Sequence, residues 1–314
     1  MAFSHNLKPG IDLPVYQWLR FLPVSASTGS CMCNSENGDN RFIYFIFSAT
    51  SFWRYDIWTD SWQQLANPPS FTFGAGTAMV FDPSRGTRGY IWLFGPLSSS
   101  PYAVFAYYDI ANNTWTSRAV PSLSAQWGTD ASLVHTCTAY HTSGNDDYIY
   151  LIGNGSTVFF RYSISANSWT TLAGLPAGAG AGCAIHWDWG TGGDVDKLYV
   201  LRGAGTSTLY SYSISGNSWT TVTYVPATET FTTGTTTAYD PVRRRIWIQK
   251  DNTHRMYYLD LATLTMYPGG VWPYAGGTAV VGDGLCYVRT PDGAEYIYFR
   301  RHSGTEFWRT LIFV

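Results

Sequence analysis

The chain has 314 residues, of which 13% are charged, 17% are aromatic and 31 are glycine, with a formal net charge of -2. Globular domains carry about 25% charged residues, so this surface is expected to be neutral polar and aromatic. The charge leaves no cationic field to neutralise phosphates, which excludes a nucleic-acid partner; no apolar run approaches the ~18 residues of a spanning helix; and five cysteines are too few for a disulfide framework, so reduced thiols are expected.

Residues 1–14 carry Pro9, Gly10 and Pro14, which oppose regular structure, and read as an arm able to dock on a neighbouring subunit. No apolar core follows a basic segment as in a signal peptide, so export by that route is not expected. Residues 15–22, containing Trp18-Leu19-Arg20-Phe21-Leu22, read as a strand that precedes a repeat.

The repeat is a Tyr-Asp/Ser-Ile step, a polar turn and then Trp. It runs Tyr55-Asp56-Ile57 to Trp62, Tyr108-Asp109-Ile110 to Trp115, Tyr162-Ser163-Ile164 to Trp169 and Tyr212-Ser213-Ile214 to Trp219, with a weaker copy from Leu259-Asp260-Leu261 to Met266. The tryptophans are spaced 53, 54 and 50 residues apart, the period of one propeller blade. Each interval holds four alternating segments bounded by Gly, Pro, Asn or Asp, as hairpin-connected strands require. In the second blade they fall near 76–82, 89–95, 102–110 and 114–119. Small residues open the first segment (Gly76-Thr77-Ala78, Gly234-Thr235-Thr236), as befits innermost strands that converge on an axis, and Asp82-Pro83 and Asp240-Pro241 start the next turn. No helical period of useful length occurs. The sequence therefore predicts an all-β, six-bladed β-propeller with four antiparallel strands per blade, one domain over 15–314, and blades near 29–66, 76–119, 132–173, 181–223, 234–268 and 276–314.

At the far end, Glu295-Tyr296-Ile297-Tyr298-Phe299 reads as a second strand and Thr305-Glu306-Phe307-Trp308-Arg309 as a third, so the last blade lacks its outermost strand. An open edge invites aggregation, and residues 15–22 are expected to close it by pairing with 305–313. In the alternative register Trp308-Arg309-Thr310-Leu311 is itself the fourth strand and 15–22 is surplus or a docking arm.

On the Tyr-Asp…Trp step the chain resembles the kelch family, including the propeller of galactose-oxidase-like proteins. Gly95-Pro96, Gly153-Asn154-Gly155 and Gly203-Ala204-Gly205 stand where that family has a Gly-Gly doublet. The resemblance implies a propeller; for oxidases it also implies a copper held by Tyr and His, and Tyr140, His135, His141 and Cys137 do not match that spacing.

Among candidate sites, Cys31-Met32-Cys33 and His135 with Cys137 put metal-ligating types on innermost strands. Cys137 and Cys286 align with Ala78 and Thr236, and Cys183 with Thr77, so cysteine substitutes for other small residues, and neither metal nor cofactor is expected. Asp39-Asn40, Asn145-Asp146-Asp147, Asp194 with Asp196, and Asp292 lack calcium-loop spacing and read as turn chemistry. Arg243-Arg244-Arg245 and Arg300-Arg301 read as solvated edge charges, with contact to an anionic partner as the alternative. The periodic tryptophans read as packing between blades.

The aromatics that break the repeat lie in the connections between blades: Phe71, Phe73, Trp127, Phe231, Trp272 and Tyr274. They are the candidates for contacting a partner, with folding back as plugs the competing reading. With no convergent set of titratable groups visible, the chain reads as a non-enzymatic structural or binding module. Its low charge and Gly/Ser/Thr/aromatic content resemble bacteriophage structural proteins, implying a virion component (tail, fibre or capsid-associated) that contacts other structural proteins through its arm and loops. A glycan-binding lectin and a kelch-type oxidase or hydrolase are the alternatives.

Overall fold

A computed structural model describes residues 16–26, 29–35, 40–48, 50–70, 74, 76–124, 131–136, 148–153, 155–250, 253–272, 284–301 and 304–312. Among them every regular element is a strand, and the strands form six four-stranded antiparallel sheets arranged as the blades of a β-propeller. The innermost strands of blades 1 to 6 are Cys31–Asn34, Ala78–Asp82, Ala131–Thr136, Ala184–Trp187, Thr236–Asp240 and Gly284–Arg289. The outermost are Ser61–Gln64, Thr114–Ser117, Ser168–Thr171, Ser218–Val222, Thr265–Val271 and, for blade 6, Tyr16–Trp18.

The second strands explain the chain's apolar runs. Ile43, Tyr44, Phe45, Ile46 and Phe47 are all buried, because a strand covered on both faces by neighbouring blades needs apolar side chains at every position, not every other one. Six hydrophobic clusters result. Each sits between two blades: Phe45 and Tyr55 of blade 1 with Val288 and Tyr298 of blade 6, for example, and Trp92 and Phe105 of blade 2 with Ile149 and Tyr162 of blade 3.

The repeated Tyr…Trp step is a latch between blades. The hydroxyls of Tyr108, Tyr162 and Tyr212 each donate at 2.7 Å to Oδ1 of Asn113, Asn167 and Asn217. Those asparagines hold φ of 54°, 50° and 45°, a left-handed turn conformation that Asn tolerates better than most residues. The same oxygens accept the amides of Ala66, Ala119 and Ala173 in the preceding blade at 2.9, 3.0 and 2.9 Å. Trp115, Trp169 and Trp219 then donate Nε1 to the carbonyls of those alanines at 2.8, 2.7 and 2.8 Å. Their rings pack edge-on against Phe52, Phe105 and Phe159 of the preceding blade at 4.8 to 5.1 Å.

Blade 5 keeps the turn and loses the polar latch: Leu264 has φ 51°, Leu259 and Met266 are buried, and the preceding blade attaches instead by backbone, Val225 N to Leu264 O at 3.0 Å and Met266 N to Val225 O at 2.8 Å.

Closure follows the first of the two registers. Tyr16, Gln17 and Trp18 pair antiparallel with Thr310, Arg309 and Trp308, so Phe307–Leu311 is the third strand of blade 6. The ladder is shorter than the expected 15–22, but the contact runs further: Leu19, Leu22 and Ala26 donate their amides to the carbonyls of Phe307, Thr305 and Gly304 at 2.9, 2.8 and 3.1 Å. At this seam the latch is charged. Asp60 (φ 47°) replaces Asn, accepts Tyr55 Oη at 2.7 Å and the Arg20 amide at 3.4 Å, and Arg20 Nη1 reaches the Asp60 carbonyl at 3.1 Å.

Candidate functional site

Convergence of the innermost strands leaves an axial cavity of about 260 Å³, lined by residues of blades 1 to 5. Small side chains such as Thr77, Ala78, Ala131 and Ser132 keep it open. Its polar groups join one blade to the next. Ile185 N donates to Ser132 Oγ at 3.2 Å, His186 Nε2 shares a hydrogen with Thr237 Oγ1 at 2.8 Å, and His135 Nε2 lies 3.8 Å from Asp82 Oδ2, both side chains being fully buried. Asp82 also accepts Trp92 Nε1 at 3.0 Å and Ser84 Oγ at 2.6 Å.

Burial keeps several of these groups uncharged near neutrality. Desolvation pulls the His186 imidazole down to about 4. It pushes the Cys31 thiol up to about 12, against the opposing charge of Arg300. The Tyr239 phenol is raised by burial and then by the Asp188 carboxylate. Among the described residues no group of three or more His, Cys, Asp or Glu is placed to hold a metal ion. Tyr140, His141 and Cys137 lie outside the described residues, while Cys183 and Cys286 are buried in cores between blades.

At one end of the cavity the arginine run departs from the solvated-edge reading. Asp188 of blade 4, fully buried, accepts Arg244 Nε and Nη2 of blade 5 at 3.1 and 2.8 Å and Tyr239 Oη at 2.9 Å. Arg243 turns the other way and bridges Asp240 of its own blade, at 3.2 Å, to Glu295 of blade 6. Arg245 pairs with Asp260 on the adjacent strand. Burial raises the Asp240 carboxyl against the hydrogen bonds it receives from Arg243. Arg300 is likewise fully buried, donating Nη2 to the Ser30 carbonyl at 2.8 Å. Two of the three consecutive arginines, Arg243 and Arg244, therefore staple blade 5 to blades 6 and 4, because alternate hairpin residues point to opposite neighbours, while Arg245 pairs within its own blade. Sequence reasoning missed this because the partners lie about 50 residues away in other blades.

The acidic turn residues behave as turns. Asp196 accepts Ser213 and Ser215 hydroxyls at 2.7 and 3.0 Å, and Asp292 accepts Thr290 Oγ1 at 2.5 Å. Asn40 has φ 46°; Asp39 and Asn145 to Asp147 lie outside the described residues.

Of the six aromatic candidates, Phe71, Phe73, Trp127 and Tyr274 lie outside the described residues. Phe231 and Trp272 are fully buried. Phe231 pairs with Thr206 and fills the core between blades 4 and 5. Trp272 sits between blades 5 and 6, with Tyr16 and Phe299 rings each at 4.8 Å. These two are plugs: neither can offer a face to a partner without leaving the core.

The rim carries a different feature that the repeat hid. Outermost strands of blades 1 to 4 show Ser, Thr and Gln around the tryptophan of the repeat. Yet eight large apolar side chains are exposed among the described residues, and six of them (Trp18, Phe21, Val24, Val225, Tyr267 and Val271) lie on or beside the outermost strands of blades 4 to 6. Phe21 is 57% exposed and Trp18 47%, the two rings meeting edge-on at 5.5 Å.

No family model and no curated protein matches the chain. The fold is shared with the solved structure of YjhT, 12% identical, with a TM-score of 0.60 over 94% of this chain and 97% of that one. At that identity the likeness is one of fold. Among the described residues no helix is long and apolar enough to cross a membrane.

Proposed function

We propose that the chain is a non-catalytic, kelch-type structural propeller of a bacteriophage particle, docking on other structural proteins through its rim, arm and loops. The observation that carries this reading is the exposure of Trp18, Phe21, Val24, Val225, Tyr267 and Val271 on or beside the outermost strands of blades 4 to 6. Large apolar side chains left exposed on a rigid scaffold, such as Trp18 and Phe21 meeting edge-on, are a feature of protein contact surfaces. The buried polar groups support the same reading, since Asp188, Asp240 and Glu295 are each held by arginines that tie blades together.

The test is incorporation. Particles purified from the organism that encodes the chain are probed for the protein by mass spectrometry, and the variant Trp18→Ser/Phe21→Ser/Val271→Ser is compared with the native chain. The native protein is expected in the particle and the variant outside it with its melting temperature nearly unchanged. A native protein that never co-purifies with particles or with a second structural protein overturns the reading, as does turnover of a sugar or alcohol substrate with stoichiometric copper.

A further inference from the structure

We propose that residues 16–26 are an exchangeable closing element: blade 6 of one chain accepts this segment from a second copy, so that two chains link by trading it. The inference rests on the fold alone and stands whether or not the rim docks on a particle. In every other blade the outermost strand follows its partner through a short turn. In blade 6 it comes from the opposite end of the chain, Gln17 and Arg309 being 292 residues apart.

The segment carries its own address. Leu19, Leu22 and Ala26 are buried among Phe45, Phe47 and Phe307, Gln17 Oε1 accepts Arg309 Nε at 2.8 Å, Tyr16 packs on Trp272 at 4.8 Å, and Arg20 engages Asp60. A second copy presents the same groove, so exchange preserves every one of these contacts. The two forms keep the same contacts of residues 16–26 and differ in the number of chains joined, which makes concentration the deciding variable. Five residue steps from Ala26 to Cys31 reach roughly 16–18 Å when extended. The exchanged pair must therefore meet through the ends of the discs that carry Ala26 and Gly304, the ends already joined by a backbone bond in one chain.

The experiment uses the full chain with Gln17→Cys and Arg309→Cys, positions that face each other in the ladder. Isotope-light and isotope-heavy preparations are unfolded, mixed, refolded together, oxidised and digested. If the segment exchanges, linked peptides of mixed isotope approach about half of all linked peptides at high concentration and fall at least about twofold when refolding is a hundredfold more dilute. Linked peptides of one isotope only, at every concentration, overturn the proposal. The unsubstituted chain gives a second reading independent of the cysteines. Refolded at high concentration it is expected to yield a dimer that survives dilution and sizing, because separation requires the strand to leave its blade; absence of such a dimer also overturns it.

Discussion

Tyr212 donates its hydroxyl to Asn217 across 2.7 Å, and the same Asn217 oxygen accepts the backbone amide of Ala173 from the preceding blade at 2.9 Å. One side chain thus satisfies a tyrosine in its own blade and a main-chain donor in the preceding one, while holding a left-handed turn. Asn217→Ala removes both bonds and places a Cβ-bearing residue without a compensating side-chain bond at φ 45°. The expected loss is about 2–3 kcal/mol, and Asn217→Gly, which keeps the turn, loses about 1 kcal/mol less. Urea unfolding midpoints of the two variants check the order.

Acid should weaken the protein through His186. Its folded-state value of about 4 lies below the ordinary 6.5, so the native state resists protonation while the unfolded state accepts it. The penalty begins as pH falls below 6.5 and is complete below about 4. By pH 4.5 it amounts to about 2–3 kcal/mol. His186→Gln, which retains a partner for Thr237, is expected to flatten the fall in stability between pH 7 and 4.5. An unchanged slope in denaturant titrations at the two pH values would show that the imidazole is not responsible.

Asp56 acts in the same direction by a different route. Burial raises its carboxyl, but hydrogen bonds from Arg41, the Trp58 amide and the Thr59 hydroxyl outweigh this and leave it below the usual carboxylate range. Its stabilisation is present above the unfolded value and fades as pH drops through the folded one. Arg41→Gln should reduce stability at pH 7 more than at pH 3, with the difference read from paired melting curves.

The arginine staple separates buried from exposed pairing. Arg244→Met strands the Asp188 carboxylate, which is fully buried, and is expected to cost about 3–5 kcal/mol. Arg245→Met breaks a more exposed pair with Asp260 and should cost under about 1 kcal/mol. Equal effects on the denaturation midpoint would contradict the assignment of Arg244, and not Arg245, to a cross-blade pair.

Trp272→Ala and Phe231→Ala empty filled space between blades and should each destabilise by about 3–5 kcal/mol. Trp18→Ala, on the exposed rim, should lose about 1 kcal/mol or less. Calorimetry on the three variants distinguishes plugs from surface aromatics in one experiment.

The fold was legible because a propeller writes its period into the chain. Trp115, Trp169 and Trp219 occupy the same place in successive blades, and each strand is bounded by turn residues. The latch was half legible: Asn113, Asn167 and Asn217 stand two residues before those tryptophans, yet their second bond crosses to another blade, which no local pattern displays. The arginine staple is hidden in the sequence because three adjacent charges look alike there, although neighbouring residues of a hairpin face different blades. Phe231 and Trp272 depart from the repeat because they fill the cores at the two junctions flanking blade 5. The apolar rim sector went unnoticed because exposure of Val271 or Trp18 depends on which strand lies outermost.

Ring closure also sets a timetable for biosynthesis. Gln17 and its partner Arg309 are 292 residues apart, so at about 5–20 residues per second the first-made strand waits roughly 15–60 s for its place to exist. During that interval Leu19 and Leu22 have no blade 6 to cover them, and nascent chains on neighbouring ribosomes hold the same unclaimed segment at high local density. Spacing ribosomes further apart by slowing initiation should therefore raise the fraction of chains that close on themselves.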